Sequence, residues 1–545
     1  MPQACPSWPH LIQSVTPLVH DGRLQVRDES LRLDRPYGNV PGVQLDAGSS
    51  AVDTDQSQAG AVVAIAAPGG GDAGGVGTTH LRRNSVGLSG VTGQSLSAMG
   101  LSGVIGTSVP VVAILAGAGG WLTWAIAAVI IMFVALSISV LARRFATTGG
   151  LYGLAAKALG PLGGLLTGWL MVALIGVAAS ASVLSFGVYF SQFLTLFHVS
   201  YGRPTLLITS VASLVICWYL SRVGARLAAW AMFVTEIVAT LAMFVVFIAL
   251  IVNHRGPIVD SQQLHLHNVS LSVVLTAVVL GVGGFGGFES AAVYGQEATR
   301  PRRVIPIAMV LSVAIAGVVW MFSSYMLFFG FQDSTQSLAK SSAPMGTLAQ
   351  IAGIGSYRYV VDIALAFTIG ASLIAAFSWV ARMMLTMSRE GIAPPSWKEI
   401  HPRYHTPSRA LGIAGGVWLV LVVLMAATSS TPLSTYGELA GDLSGYPLLL
   451  VYGLICVAAI VYQRRHGHRY SAFVLIAVLG AGSMVYVMYR SLVPWPPLPD
   501  SVVVGAFLAV TAAIVVVYLV LRSRRPSSLE PIGSSVDDDT AALSD

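Results

Sequence analysis

The chain has 545 residues, 55% of them hydrophobic and 10% charged, with a mean hydropathy of +0.74. A soluble domain carries about 25% charged residues, so the composition excludes a water-soluble protein and predicts an all-α integral membrane protein. The formal charge of +6 would suit nucleic acid, but the basic residues lie in short loops between apolar segments, which argues for a lipid bilayer and against a nucleic-acid partner.

Residues 1–80 are rich in Gly, Asp, Ser and Pro, without sustained periodicity. They read as a disordered amino-terminal tail, dispensable for function, with a regulatory arm as the alternative. Twelve apolar spans come after it, each near the roughly 20 residues that a crossing needs. They cover 94–118, 121–142, 163–195, 204–221, 226–252, 271–296, 304–330, 358–386, 408–427, 436–462, 470–489 and 501–522. Residues 81–525 therefore form one twelve-helix membrane domain, and 526–545 read as a second disordered tail.

Loop charges set the orientation. Of the 30 Lys and Arg residues, 21 fall on one face, five (Arg203, Arg255, Lys340, Arg358 and Arg490) on the other, and four in the first tail. The rich face is expected to be cytoplasmic, as are both termini, in a multi-pass protein of the cell membrane.

Two spans are interrupted. The first holds Ser97-Ala98-Met99-Gly100-Leu101-Ser102-Gly103 and the sixth holds Gly281-Val282-Gly283-Gly284-Phe285-Gly286-Gly287-Phe288-Glu289. Glycine lets the backbone leave helical geometry. Five crossings separate the two breaks, so they run in opposite directions. That is the pattern of two inverted five-helix repeats with a site at their interface; the alternative is glycine used for close helix packing. Free amides after the first break, near Ser102 and Gly103, suit a carboxylate, and Gly100 and Leu101 belong with them to the expected substrate set. Free carbonyls before the second, at Gly283 and Gly284, suit an ammonium, so an α-amino acid would bridge them. Gly287 belongs to the same substrate set. Phe285 and Phe288 either cover the substrate or pack in the core.

The stretch Gly284-Phe285-Gly286-Gly287-Phe288-Glu289-Ser290-Ala291, continuing through Gln296-Glu297-Ala298 to Pro301-Arg302-Arg303-Val304-Ile305-Pro306, resembles the sixth-helix signature of the amino acid–polyamine–organocation permeases. Thr148-Gly149-Gly150-Leu151-Tyr152-Gly153 and the run from Arg382 to Pro394 are similar to two further passages of that family. The resemblance covers about residues 80–525. It implies a leucine-transporter-like 5+5 inverted repeat plus two extra helices, alternating access, and transport of amino acids or related amines. Gly283 stands where some members carry a bulky gating aromatic, a role that Phe285 would then take. Gly100-Leu101-Ser102-Gly103 is one residue longer than the usual first break.

Few ionisable residues lie within the spans. Glu236, in the middle of the fifth, reads as a protonatable coupling residue or as a buried carboxylate bonded to a backbone break; some proton-coupled relatives place a lysine there. Glu289, just past the second break, reads as a cap on free amides, with direct proton or substrate contact as the alternative. Glu438 and Asp442 read as solvated vestibule residues, and His254, His265 and His267 as exposed. Cys5, Cys217 and Cys456 are too far apart for a disulfide framework or a metal site. No phosphate loop, Gly-x-Ser-x-Gly or His-Glu-x-x-His occurs, so no cofactor or enzymatic activity is expected. The expectation is a proton-coupled symporter or an exchanger. The alternatives are a polyamine or other amine carrier of the same fold and, remotely, a non-transporting amino acid sensor.

Overall fold

The structure is a computed structural model describing residues 81–254, 259–266, 269–331, 335–341, 343–428, 432–467, 471–493, 495–496 and 500–536; at 262, 336, 426–428 and 432–443 it describes the backbone alone. The amino-terminal tail, His267, the side chains of Glu438 and Asp442, and residues 537–545 lie outside the described residues.

The described chain is helical, and its only β feature is an isolated bridge between Val86 and Ala298. Three short helices come first, α1 (Leu88–Met99), α2 (Leu101–Gly106) and α3 (Ser108–Ala116). Then come α4 (Gly120–Ala142), the short connecting helix α5 (Leu151–Leu159), α6 (Pro161–Leu194), α7 (Arg203–Val223) and α8 (Ala225–Asn253). A four-residue α9 (Ser261–Leu264) leads to α10 (Leu271–Gly284), which passes into a 3-10 stretch, Phe288–Tyr294. After it come α11 (Pro301–Gly330), the short α12 (Thr335–Ala339) and α13 (Pro344–Ile351), α14 (Arg358–Arg389), α15 (Ser408–Thr428), α16 (Pro432–Arg465), α17 (Ala472–Leu492) and α18 (Asp500–Arg524).

Eleven helices among the described residues are long and apolar enough to cross a membrane. The count differs from twelve at one place. The first predicted span is cut into α1, α2 and α3, and the first of the eleven, Ser108–Ala142, runs on from α3 into α4. The cut has a local cause: Gly100 sits at φ 68°, ψ 58° and ends α1 in the left-handed region, where a residue with a Cβ is disfavoured. The break is one residue wide.

α11 lies along α4, α14 along α6 and α8, and α16 against α6 and α17. Trp124, Trp320, Phe285, Phe377, Trp418 and Tyr452 fill the centre, all buried. Large aliphatic residues such as Ile208, Val238, Val252 and Val485 point outward and are exposed. Apolar surface of that extent is not left facing water; hydrocarbon would cover it.

The carboxyl-terminal reading needs correction. Residues 526–536 are folded: Pro526–Leu529 forms a 3-10 turn, and Leu529, Ile532 and Val536 are buried. The anchor is Glu390, at the end of α14 and 1% exposed. Its carboxylate accepts from the amides of Gly533 (2.8 Å) and Ser535 (3.2 Å), from the Ser535 hydroxyl and from the Tyr152 phenol. Burial first, and then the charge of Glu390, hold Tyr152 above the usual phenol range, so it stays protonated and donates. The composition of this segment looks like a tail because its partner lies 143 residues away. Glu390→Gln removes the charge, and each charge-assisted bond is worth about 1.5–3 kcal/mol. Proteolysis after residue 525 is therefore expected to quicken at least tenfold; an unchanged cleavage rate would mean that these bonds do not hold the segment.

Candidate functional site

The two interrupted spans lie side by side. α1 packs on the 288–294 stretch and α3 on α10, so each half of one span faces the opposite half of the other. The contact is closest at Gly287, which sits at φ 114°; a Cβ there would come within 2.7 Å of the Ala98 carbonyl carbon and oxygen. The second break is a tight turn, in which the amides of Phe285 and Gly286 bond back to the carbonyls of Val282 (3.2 Å) and Gly283 (3.0 Å). Beyond this turn the chain continues as a seven-residue 3-10 stretch rather than an α-helical half.

A cavity of about 1090 Å³ opens at these breaks. Ala98 and Met99 line it from the end of α1, and Gly283, Gly284, Gly286 and Gly287 from the second break. Leu174, Ala178 and Ser182 of α6, Ser372 and Trp379 of α14, and Tyr446 and Leu448 of α16 complete its wall. Its mouth includes Ser491, Pro496 and Asp500, so it opens toward the α17–α18 connection. Among the described residues, Asp500 is the only ionisable acid or base in the lining apart from the Tyr446 phenol.

Of the predicted substrate residues, Gly283, Gly284 and Gly287 line this cavity; Gly100, Leu101, Ser102, Gly103, Phe285 and Phe288 do not. Phe285 is fully buried between Trp124 and Trp320, with ring centroids 6.2 and 4.7 Å away. Phe288 is buried against Tyr452 at 5.6 Å. Both are core residues here, the second of the two readings left open by the sequence.

The two carboxylates occupy the amide ends of the breaks. Glu236, on α8, accepts at Oε2 from the Ser102 amide (3.3 Å) and hydroxyl (2.9 Å), and at Oε1 from the Thr368 hydroxyl (2.5 Å). It thus ties α2, α8 and α14 together, and it holds the amide predicted to await a substrate carboxylate. Ser372 donates to the Ser97 carbonyl (2.5 Å) and the Trp320 indole to the Leu101 carbonyl (2.8 Å), which pin the two sides of Gly100. Glu289 accepts at Oε2 from the Gly287 amide (3.0 Å) and from the Tyr452 phenol (2.6 Å); its Oε1 has no partner among the described residues. By contrast, the carbonyl ends of α1 (Ala98 and Met99) and of α10 (Gly283 and Gly284) line the cavity.

Away from the mouth the breaks are sealed. Arg382, counted from sequence among the loop cations, is buried in α14 and pairs with buried Glu297 through both Nε and Nη2, the latter at 3.0 Å to Oε1. Its guanidinium stacks 4.5 Å over Tyr294, whose phenol donates to Gln94 of α1 (3.2 Å). Gln94 in turn donates to the Ala375 carbonyl of α14 (3.0 Å). Sequence reasoning missed this network as a unit. Its one signal was a Gln inside an apolar span, where an amide needs partners.

Two interrupted spans packed side by side around a cavity fit a helical membrane transport protein. The comparisons with known proteins agree: the family described as amino acid permease matches residues 87–520, and the chain belongs to it. An uncharacterized transporter of Mycobacterium tuberculosis is 26% identical over 380 residues, 69% of this chain and 80% of that protein. The low-affinity putrescine importer PlaP of Escherichia coli K12 is 25% identical over 325 residues, 58% of this chain and 69% of the importer. The branched-chain amino acid permease BcaP of Bacillus subtilis is 24% identical over 381 residues, 65% and 75% of the two chains. The chain is thus a multi-pass membrane transporter and not an enzyme.

Proposed function

We propose that this protein is a secondary transporter that carries an amino acid or a related amine across the cell membrane by alternating access. The single observation behind this reading is the contact of Gly287 with Ala98 beside the 1090 Å³ cavity. It brings two oppositely directed, interrupted spans together around a space of ligand size. In this reading α1–α3 count as one crossing, which makes twelve crossings, ten of them in two inverted repeats of five. Both termini are cytoplasmic. The conformation is open to the outside, with the Arg382–Glu297 pair as the closed inner end.

The chemistry of the lining favours the amine side of this substrate class. The C-terminal ends of both α1 and α10 border the cavity, and the negative ends of helix dipoles attract cations. The amide end of α2 and the amide of Gly287 are engaged internally by Glu236 and Glu289. Asp500 adds an acidic group at the mouth. An amine without an α-carboxylate is therefore the second reading. Uptake of radiolabelled substrate into proteoliposomes, competed with amino acids and with their decarboxylated amines, separates the two. The lining predicts at least tenfold stronger competition by the amines. Preferential competition by amino acids would return the assignment to zwitterions, and no uptake of either would remove the transport reading.

A further inference from the structure

We propose that the cleft formed by the chain entering α1, the first turns of α8 and the loop after α14 binds the phosphate headgroup of an anionic phospholipid. Two adjoining hollows, of about 510 and 580 Å³, share Arg82, Ser85, Arg226 and Trp230. The first adds Arg83 together with Gly87, Ser89 and Gly90 at the start of α1; the second adds Arg403 and His405. Among the described residues, the sole acid in either lining is Glu297, already neutralised by Arg382. Four arginines thus converge on one cleft whose described walls offer no other carboxylate.

Two further observations point to an anion with an acyl chain. The first turn of α1, which lines the first hollow at Gly87, Ser89 and Gly90, has no side-chain cap and no acidic residue, so the positive end of its dipole is unneutralised. Trp230 and Leu227 are 64% and 46% exposed at the rim. A soluble phosphate has no use for that rim, whereas a lipid lays its chains along it. Basic pockets between spanning helices at the membrane surface are suited to anionic headgroups. The assignment to the cytoplasmic leaflet rests on the orientation proposed above.

The position carries a consequence. The amides of Ser85 and Val86 donate to the Glu297 carbonyl at 2.8 and 3.1 Å. A headgroup bridging Arg82 to Arg226 and Arg403 therefore ties the entry of α1 to α8 directly over the Arg382–Glu297 seal, and holds that end shut.

The test is lipid retention on the full-length purified protein, read by native mass spectrometry after exchange into mixed phosphatidylglycerol and phosphatidylcholine. The wild type is expected to prefer phosphatidylglycerol at least tenfold. R82Q/R226Q/R403Q is expected to bind it roughly a hundredfold more weakly at low salt, since one basic residue near an anionic surface is worth about fivefold. R464Q/R522Q/R524Q removes the same charge outside the cleft and should keep the preference. Equal loss in both triple variants would mean diffuse surface charge and overturn the proposal. So would full displacement by soluble glycerol phosphate, which would mark a free-phosphate site. R403Q alone, on an exposed loop residue, should lose about fivefold, and no loss there would overturn the proposal even if the triple variant fails to fold. Retention is measured without transport substrate, so its outcome is independent of the uptake assay.

Discussion

Glu236→Gln is expected to abolish uptake driven by an imposed pH gradient while leaving substrate counterflow intact. Glu236 is the joint between α2, α8 and α14, and its three hydrogen bonds all come from donors: an amide and two hydroxyls. Three donors on two oxygens suit the ionised form. A proton on Oε1 makes that oxygen a donor, so that the Thr368 hydroxyl must turn to accept, and the oxygen left at Oε2 loses its charge and holds the Ser102 amide and hydroxyl more weakly. In the proposed reading, proton binding is thereby linked to the first break. Among the described residues no other titratable side chain is bonded to Glu236, so the linkage rests on this residue. Glutamine keeps the shape and cannot ionise. It misplaces one donor, at a cost of about 1–3 kcal/mol, which lowers stability without dissolving the fold. One proton moving through one pH unit supplies about 1.4 kcal/mol, a tenfold accumulation. The wild type is expected to approach that ratio in proteoliposomes, and the variant to stay at equal concentrations inside and out. Gradient-driven accumulation by Glu236→Gln would leave Glu236 as a structural cap alone.

The span positions and the two breaks were legible because both are written locally. Long apolar runs mark crossings whatever they pack against, and clustered glycines mark the places where a helix stops. The opposite direction of the two breaks is an expectation from the odd number of crossings between them; that they lie side by side comes from the contacts of α1 with 288–294 and of α3 with α10. What the sequence could not reveal was which ends of the breaks remain available. Glu236 lies 134 residues from Ser102, and nothing local to Ser102 announces that its amide is taken. The same distance problem hid the Gln94–Tyr294–Arg382–Glu297 network and the docking of 526–536 on Glu390. Phe285 and Phe288 were ambiguous for another reason. An aromatic beside a glycine break can turn toward the cavity or away from it, and only Trp124, Trp320 and Tyr452, remote in sequence, decide the matter.

That distinction leads to the sharpest test of the cavity, a pair of substitutions four residues apart. A Cβ added at Gly283 meets nothing within 4 Å, and Gly283 faces the cavity. Gly283→Trp should therefore fold, extend its indole into the open space and obstruct the passage. Uptake is expected to fall at least tenfold while the melting temperature stays within a few degrees of wild type. Gly287→Ala adds only a methyl group, yet φ 114° is disfavoured for alanine and the Ala98 backbone stands 2.7 Å from the new atom. Backbone strain of about 1–3 kcal/mol and overpacking of about 1–3 kcal/mol then act together against a total stability of about 5–15 kcal/mol. The expected result is a strongly lowered melting temperature with transport lost through instability. The larger side chain is thus expected to be structurally harmless and the smaller one damaging, an inversion of ordinary size rules that depends on one glycine facing a cavity and the other a neighbouring backbone. A Gly283→Trp protein that transports normally would remove this cavity from the substrate route. A Gly287→Ala protein as stable as wild type would separate the two interrupted spans, and with them the site.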